Sequence, residues 1–294
     1  MKTKYIALAI AAMITGVVIA SCTKEQDKES IEEEATPSSS EQRPAGGFDE
    51  NGASNSVFSV SADKKVRFSK GNLHWYPYKW SFAEKQYQYK GIYSNVSNWK
   101  SHFGWACSGW NNGASACQPY SHSGDPSDYA QFNSVTGDNA KGDWAWNNPI
   151  ENGGNRKNMW RTLTHTEWNY LLNSRSGAHN KRSLATVCGV HGLIILPDNF
   201  TQPSGVNFSY NDLYSYSNNT YTEETWQKME DAGAIFLPAA GYRWMSTVSA
   251  QGTEGYYWTA SKTRLCFVVN HCDINYVSSS PVNGYSVRPV MDVQ

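Results

Sequence analysis

The spacing of apolar and polar residues divides the chain into zones. Tyr5 to Ala20 is an almost uncharged, mostly apolar run of 16 residues. Residues 23–55 are polar, and Phe48 is their only aromatic. From residue 56 onward the chain breaks into short alternating or continuous apolar segments. Val57 to Asn72 alternates through Phe58, Val60, Val66 and Phe68, which predicts two strands joined by a turn at Ala62-Asp63-Lys64. Trp75 to Tyr89 continues strand-like, with Trp80 and Phe82 on one face. Trp99 to Gly154 is nearly all Gly, Asn, Ser, Asp and aromatic residues and predicts long ordered loops. Thr164-His165-Thr166-Glu167 has the form of a capping box, followed by a stripe of Trp168, Leu171 and Leu172. A second helix is expected from about Thr222 to Ala232. Glu223 and Glu224 suit its first turn, Trp226 and Met229 its inner face, and Gly233 its C′ position. Each helix is followed by a similar strand, Gly192-Leu193-Ile194-Ile195-Leu196-Pro197 and Gly233-Ala234-Ile235-Phe236-Leu237-Pro238. Continuous apolar runs of this length read as strands buried on both faces. Gly255 to Ala260, Arg264 to Asn270 and Tyr285 to Val290 read as an antiparallel meander.

The first apolar run is preceded by Lys2 and Lys4 and followed by Ser21-Cys22. It is short for a spanning helix, which needs about 20 apolar residues, and fits the core of an export signal. Ile19-Ala20-Ser21-Cys22 resembles the bacterial lipobox, which implies cleavage before Cys22 and acylation of its thiol. Several acyl chains on one residue anchor a protein stably. Residues 1–21 are therefore expected to be a lipoprotein signal peptide, and Cys22 the lipidation site and the contact with a membrane. The resulting location is the outer membrane, at the cell surface. Residues 22–55 hold nine acids against three bases, with Ser38-Ser39-Ser40 and Pro44-Ala45-Gly46-Gly47 as breakers. They are expected to form a disordered acidic tether.

Composition sharpens the picture of residues 56–294. All 40 aromatic residues except Tyr5 and Phe48 lie there, with Gly and Asn abundant and Leu scarce. That balance favours short strands, tight turns and ordered loops, and supplies rings for recognition. The segment carries 20 bases and 17 acids, a net of +3, with no basic stripe, so nucleic acid is not an expected partner. It has no second apolar run of spanning length.

Cysteine and histidine give little sign of chemistry. Cys107 and Cys117 flank a Gly- and Asn-rich loop that could be closed by a disulfide, and the spacing leaves that pairing open. With Cys188, Cys266 and Cys272 the total is odd, which leaves at least one free thiol, and Cys188 is the expected buried one. No zinc-type spacing occurs. The seven histidines are scattered, and the chain has no His-Glu-x-x-His helix, Gly-x-Ser-x-Gly elbow or phosphate-cradling loop. The expectation is a binding module and not an enzyme, with no metal, no cofactor and no catalytic residue.

Ordered motifs then carry a family resemblance. They begin with Phe68-Ser69-Lys70-Gly71-Asn72-Leu73, Phe103-Gly104-Trp105, Asn152-Gly153-Gly154-Asn155, Trp160-Arg161-Thr162-Leu163-Thr164 and Glu167-Trp168. They continue with Leu196-Pro197-Asp198, Phe236-Leu237-Pro238-Ala239-Ala240-Gly241-Tyr242-Arg243, Gly255-Tyr256-Tyr257-Trp258-Thr259-Ala260 and Gly284-Tyr285-Ser286-Val287-Arg288-Pro289-Val290. Residues 56–294 resemble a large family of Bacteroidales surface lipoproteins ending in a C-type-lectin-like domain, close to the formylglycine-generating-enzyme branch. The resemblance implies an α+β, C-type-lectin-like fold with two helices, small antiparallel sheets and long ordered loops. It also implies paired terminal strands, which would set Phe58-Ser59-Val60 beside Ser286-Val287-Arg288. The implied role is adhesin-like recognition of a surface protein or glycan, at the tip of a pilus in some settings; the alternatives are a formylglycine-generating-type oxidase or a purely structural surface or pilus lipoprotein.

The resemblance raises three further questions. Formylglycine-generating relatives use a late cysteine pair that binds copper. Cys266 and Cys272 lie in about that region, without a supporting basic and aromatic motif and at a spacing that does not decide their faces. Calcium-binding lectins of this fold use carboxylates near Trp-Asn-Asp, whereas this chain has Trp110-Asn111-Asn112 and Trp146-Asn147-Asn148, which lack the carboxylate a hard cation wants. Some relatives are diversified by retroelements that mutate adenines and cannot create Lys, Met, Glu, Gln or Trp. Those five types make up 58 of the 294 residues and none of residues 263–280, which marks that window as a variable surface. Leu265, Phe267 and Val269 are expected to face the core there, turning Arg264, Cys266, Val268 and Asn270 outward. His271, Asp273, Asn275, Tyr276 and Ser278 follow in a polar, turn-like stretch, and Trp244 is a further exposed ring. These ten residues are the expected ligand-binding set.

Overall fold

The computed structural model describes residues 46–76, 79–89, 100–109, 123–275 and 277–293. The expected opening hairpin is β1 (Phe58–Ser59) and β2 (Lys65–Phe68), and β3 (Leu73–Tyr76) and β4 (Lys79–Phe82) form a second one. Among the described residues 100–154, regular structure is limited to short 3-10 turns at Pro126–Asp128 and Gly137–Gly142. Helix α1 (His165–Asn169) follows, then β5 (Arg182–Val187), β6 (Val190–Ile195), β7 (Thr220–Tyr221) and α2 (Glu223–Asp231). The chain ends in β8 (Ile235–Pro238), β9 (Tyr242–Trp244), β10 (Thr247–Ser249), β11 (Gly255–Trp258), β12 (Arg264–Val268), β13 (His271–Asn275), β14 (Asn283–Gly284) and β15 (Val290–Asp292). The architecture is α+β, with small sheets and few helices. No helix among the described residues is long and apolar enough to cross a membrane.

Both helix starts follow from their sequences. At α1 the Thr164 hydroxyl accepts from the Glu167 amide at 3.2 Å, and the Glu167 carboxylate accepts from the Thr164 amide at 2.8 Å. At α2 the reciprocal partner of Thr222 is Thr225, while Glu223 and Glu224 supply the first-turn charge. Helix α1 widens at once into a π-helical turn, Tyr170–Ser174, which keeps Leu171 and Leu172 together in the core.

The two similar apolar strands lie side by side. β6 pairs antiparallel with β8 from Gly192↔Pro238 to Ile195↔Ile235, in a four-stranded sheet of order β7-β5-β6-β8. A side chain at Gly192 would meet the Phe236 ring at 2.3 Å and the Leu237 carbonyl at 2.4 Å, so the close approach of these strands requires glycine. One sheet face, with Leu184, Leu193, Ile195, Ile235 and Leu237, packs on Trp168, Leu171 and Leu172. The other, with Ala185, Val187, Ile194 and Phe236, packs on Trp226 and Met229 of α2. Burial on both faces is the physical reason these runs are continuously apolar. A separate core of Trp80, Phe103, Trp105, Trp144, Trp160, Trp258 and Tyr285 holds the irregular middle of the chain.

Several expectations need correction. The expected tether, residues 22–55, ends earlier, because residues 46–55 are packed. Phe48 bridges Ser54, Ala53 bridges Ser69, and the buried Arg67 guanidinium donates to Asp49 at 2.7 Å and to the Ala53 carbonyl at 2.9 Å. Asp49 counted as one of many tether acids in the sequence, yet it supplies the counter-charge that lets Arg67 be buried. The terminal pairing also differs: β2 is central in the order β1-β2-β15, with Val290 opposite Phe68. Ser286 instead bridges Tyr257, and the Val287 carbonyl accepts from the Leu73 amide, so residues 285–288 are held by single bridges. The ladder resumes only after Pro289, which has no amide to donate. The stretch after Asn270 is a strand, since His271–Asn275 pairs with β12 along its whole length. Cys188 is half-buried in the two-residue β5–β6 turn with Gly189, where both have positive φ (49° and 79°), the geometry of a type I′ hairpin.

Candidate functional site

Strands β11, β12 and β13 form a three-stranded antiparallel sheet in which alternation decides what is presented. Leu265, Phe267 and Ile274 are fully buried, and Cys272, opposite Phe267, packs against the same core. The other face carries Tyr256 opposite Cys266, Cys266 opposite Asp273, and Val268 opposite His271. Arg264 lies between Trp258 and Asn275 in the same register. Five of the expected ligand-binding residues, Arg264, Cys266, Val268, His271 and Asp273, therefore share one sheet face.

The remaining expected residues are dispersed. Asn270 sits in the β12–β13 turn at φ 67°, with its amide donated to the Leu213 carbonyl at 2.6 Å. Val269, expected in the core, is 39% exposed in that turn, because the hairpin reverses before the alternation reaches it. Ser278 is exposed beyond β13. Tyr276 lies outside the described residues, as do Cys22, Cys117, Trp110, Asn111 and Asn112. Cys107 is buried against Tyr129 and Val282, and its expected partner is among the undescribed residues.

A cleft of about 620 Å³ opens where this sheet meets the β10-β9-β14 sheet. Tyr242, Tyr256 and Tyr285 form its walls. Tyr256 stacks on Tyr285 at 5.6 Å between centroids and meets Tyr242 edge-on at 5.2 Å. Trp244 stands at the rim, 55% exposed. Arg264 lies over the Tyr256 and Tyr285 rings at 5.6 and 5.9 Å and donates one hydrogen bond, to the Ser279 hydroxyl at 3.2 Å. Thr247, Ser249 and Asn283 complete the lining, and the Asn283 amide donates to the Tyr285 hydroxyl at 2.9 Å. Burial pushes the Tyr256 hydroxyl well above its ordinary pKa, and its donation to the Glu254 carboxylate adds to that. The Tyr285 hydroxyl is also raised, chiefly by burial. The cleft thus offers neutral phenols and a cation.

Of the expected residues that the structure describes, Arg264 and Trp244 line this cleft. Tyr242, Tyr256, Tyr285, Thr247, Ser249 and Asn283 are additional. Tyr242, Tyr256 and Tyr285 sit inside the motifs that carry the family resemblance and were not among the expected ligand-binding residues. Tyr256 was nonetheless accessible to alternation: it flanks the core-facing Tyr257, and a strand paired with β12 turns it to the Arg264 side.

Other candidate chemistry resolves into structure. Cys266 and Cys272 lie on opposite faces of the hairpin, so their thiols do not converge. Burial raises the Cys266 thiol and pushes the Cys272 thiol up to about 12, which leaves both protonated at neutral pH. Asn147 and Asn148 donate to the Ser108 carbonyl at 3.3 and 2.7 Å, which ties loops together. Among the described residues no three His, Cys, Asp or Glu side chains gather as metal ligands would. No known protein family, curated protein or solved structure matches the chain.

Proposed function

We propose that the chain is a lipid-anchored surface module of C-type-lectin-like fold that recognises a protein or glycan ligand through its C-terminal face. The observation that carries this reading is the cleft beside Arg264. It joins an exposed tryptophan, a tyrosine wall and an arginine of the 263–280 window that has no ion-pair partner among the described residues. Exposed aromatic and arginine side chains are the usual anchors of recognition. Anchoring at Cys22, export to the outer membrane and diversification of residues 263–280 belong to the same reading and rest on the sequence. So does the assignment as a binding module and not an enzyme, with no cofactor, no metal and no nucleic-acid partner.

The decisive experiment is a glycan array run beside a cell-binding assay, comparing the parent protein with a variant in which Arg264, His271, Asp273 and Tyr276 are all Ala. The expected outcome is loss of binding at an unchanged melting temperature. A variant that binds as well as the parent removes this face as the site. The anchor is read from the intact mass of the membrane-extracted protein, which should begin at acylated Cys22; an N-terminus at Thr23 or an unmodified Met1 excludes it.

A further inference from the structure

Resting on the recognition role above, we propose that the cleft between β9, β12 and β14 takes a saccharide that carries a carboxylate, with the carboxylate on Arg264 and a sugar ring against Trp244.

The charge is the first argument. Among the described residues, Arg264 is the only charged one lining the cleft. Its guanidinium spends one donor on Ser279 and has no acid within ion-pair distance among the described residues. The nearby Glu254 carboxylate is occupied by the Tyr256 hydroxyl. Two tyrosine faces are the main compensation for the positive charge, and they hold the guanidinium plane over the cleft wall. A fork fixed in this way is already oriented for two-pronged recognition of a carboxylate.

The second argument is the remainder of the lining. The exposed Trp244 ring offers a flat apolar surface that suits the C–H face of a pyranose, with a ring nitrogen left for a polar contact. Thr247 and Asn283 pair directly with Trp244 in the β10-β9-β14 sheet and Ser249 pairs with Tyr242, so their hydroxyls and the Asn283 carboxamide flank the rings on the same face, matched to sugar hydroxyls. Among the described residues neither the Thr247 nor the Ser249 hydroxyl has a hydrogen-bond partner. Apolar surface plus a few placed polar groups is the usual division of labour in a small-molecule site. A peptide anchored by an aliphatic side chain would instead want an apolar pocket, and every described lining side chain here except Trp244 carries a hydroxyl, amide or guanidinium group.

The test uses matched pairs of ligands that differ only in the acid: trigalacturonate against its methyl ester, and sialyllactose against its methyl ester. Titration calorimetry with the exported chain should show at least one acid binding about tenfold or more tighter than its neutral partner. Arg264→Gln should abolish that preference, and Arg264→Lys should retain part of it. Trp244→Ala, at an exposed site that leaves the fold intact, should weaken acid and neutral forms alike. The proposal fails if neither acid binds, if the neutral partners bind equally well, or if the preference survives Arg264→Gln. It also fails if only a peptide with a free C-terminal carboxylate binds in an Arg264-dependent way. The parent-protein cell-binding assay separates the two levels. Arg264-dependent cell binding without acidic-sugar binding removes the ligand class and keeps the recognition role, whereas absence of both removes both.

Discussion

The β5–β6 and β12–β13 hairpins are built alike and used differently. Each reverses through a two-residue turn with a positive-φ residue, Cys188 and Gly189 in the first and Asn270 in the second. The first lies inside a four-stranded sheet and is packed on both faces, by α1 on one side and α2 on the other. The second buries the Leu265, Phe267 and Ile274 face and turns Cys266, Val268 and Asp273 away from that core, while Arg264 at its end packs on the Tyr256 and Tyr285 rings. Substitution on a face without core contacts leaves the packing unchanged, whereas every position of a doubly buried strand is constrained by its neighbours. A surface that must accept varied residues is therefore better carried by the second hairpin.

The largest effects should come from stripping either cover of the first hairpin. Trp168 and Trp226 are 1% and 2% exposed, and replacing either with Ala should cost about 3–5 kcal/mol. For a domain of this size that lowers the melting temperature by about 10 °C or more. An unchanged melting temperature would show that the helix does not pack on the sheet.

A somewhat smaller loss should follow from cutting the anchor at the end of β6. Asp198 accepts from the Ser59 hydroxyl at 2.7 Å, the Ser59 amide at 3.1 Å and the buried Arg175 at 3.1 Å. Burial alone would raise this carboxyl, but the Ser59 bonds and the Arg175 charge outweigh it and hold its pKa below the ordinary value. Asp198→Asn should cost about 3 kcal/mol, because Arg175 then stays buried without its counter-charge. Glu167 and Asp292, both bonded to Arg161, are depressed in the same sense. A depressed carboxyl contributes stability that is present above the unfolded value, about pH 4, and is lost as pH falls through the folded value. Thermal melts should begin to fall below about pH 6.5, because burial holds His102 neutral down to about 3, and fall more steeply below about 4, where the limb is shallower in Asp198→Asn. An acid limb of equal slope in that variant would show that Asp198 is not a contributor.

The smallest effects belong to the outer face. His271→Ala and Asp273→Ala should each change stability by no more than about 0.5 kcal/mol in a urea titration. The two cysteines compare the faces of one hairpin directly. Native-state alkylation followed by mass spectrometry should label Cys266 well before Cys272, whose thiol lies on the core side. Equal labelling rates would mean that the register of β12 against β13 is wrong.

Much of the fold was legible because short-range physics wrote it into neighbouring residues. The Thr164–Glu167 capping box, the Trp168 and Trp226 stripes and the paired apolar runs before Pro197 and Pro238 are local signals, and the structure bears each out. Part of the site was legible for the same reason. Period-two alternation put Arg264 and Cys266 on the face opposite Leu265 and Phe267. It could not show where the alternation stops, so Val269 was misplaced and β13 was read as a turn. The Asn270 backbone, held at positive φ with its amide on Leu213, fixes the reversal there.

The sequence by itself determined the α+β class, the helix faces, the strands buried on both sides and the outward side of β12. Each of these depends on residues a few positions apart, whose side chains share a face whatever the rest of the chain does. Only the tertiary structure decided that Asp49 belongs with Arg67, that β2 separates β1 from β15, and that Cys266 and Cys272 point apart. It also assembled the cleft, by bringing Tyr242 and Trp244 of β9, Tyr256 of β11, Arg264 of β12 and Tyr285 beside β14 to one place. Those residues span more than forty positions of chain. Their meeting depends on which sheets pack together, and no local pattern encodes that, because each ring and the one guanidinium would carry the same spacing in a chain folded another way.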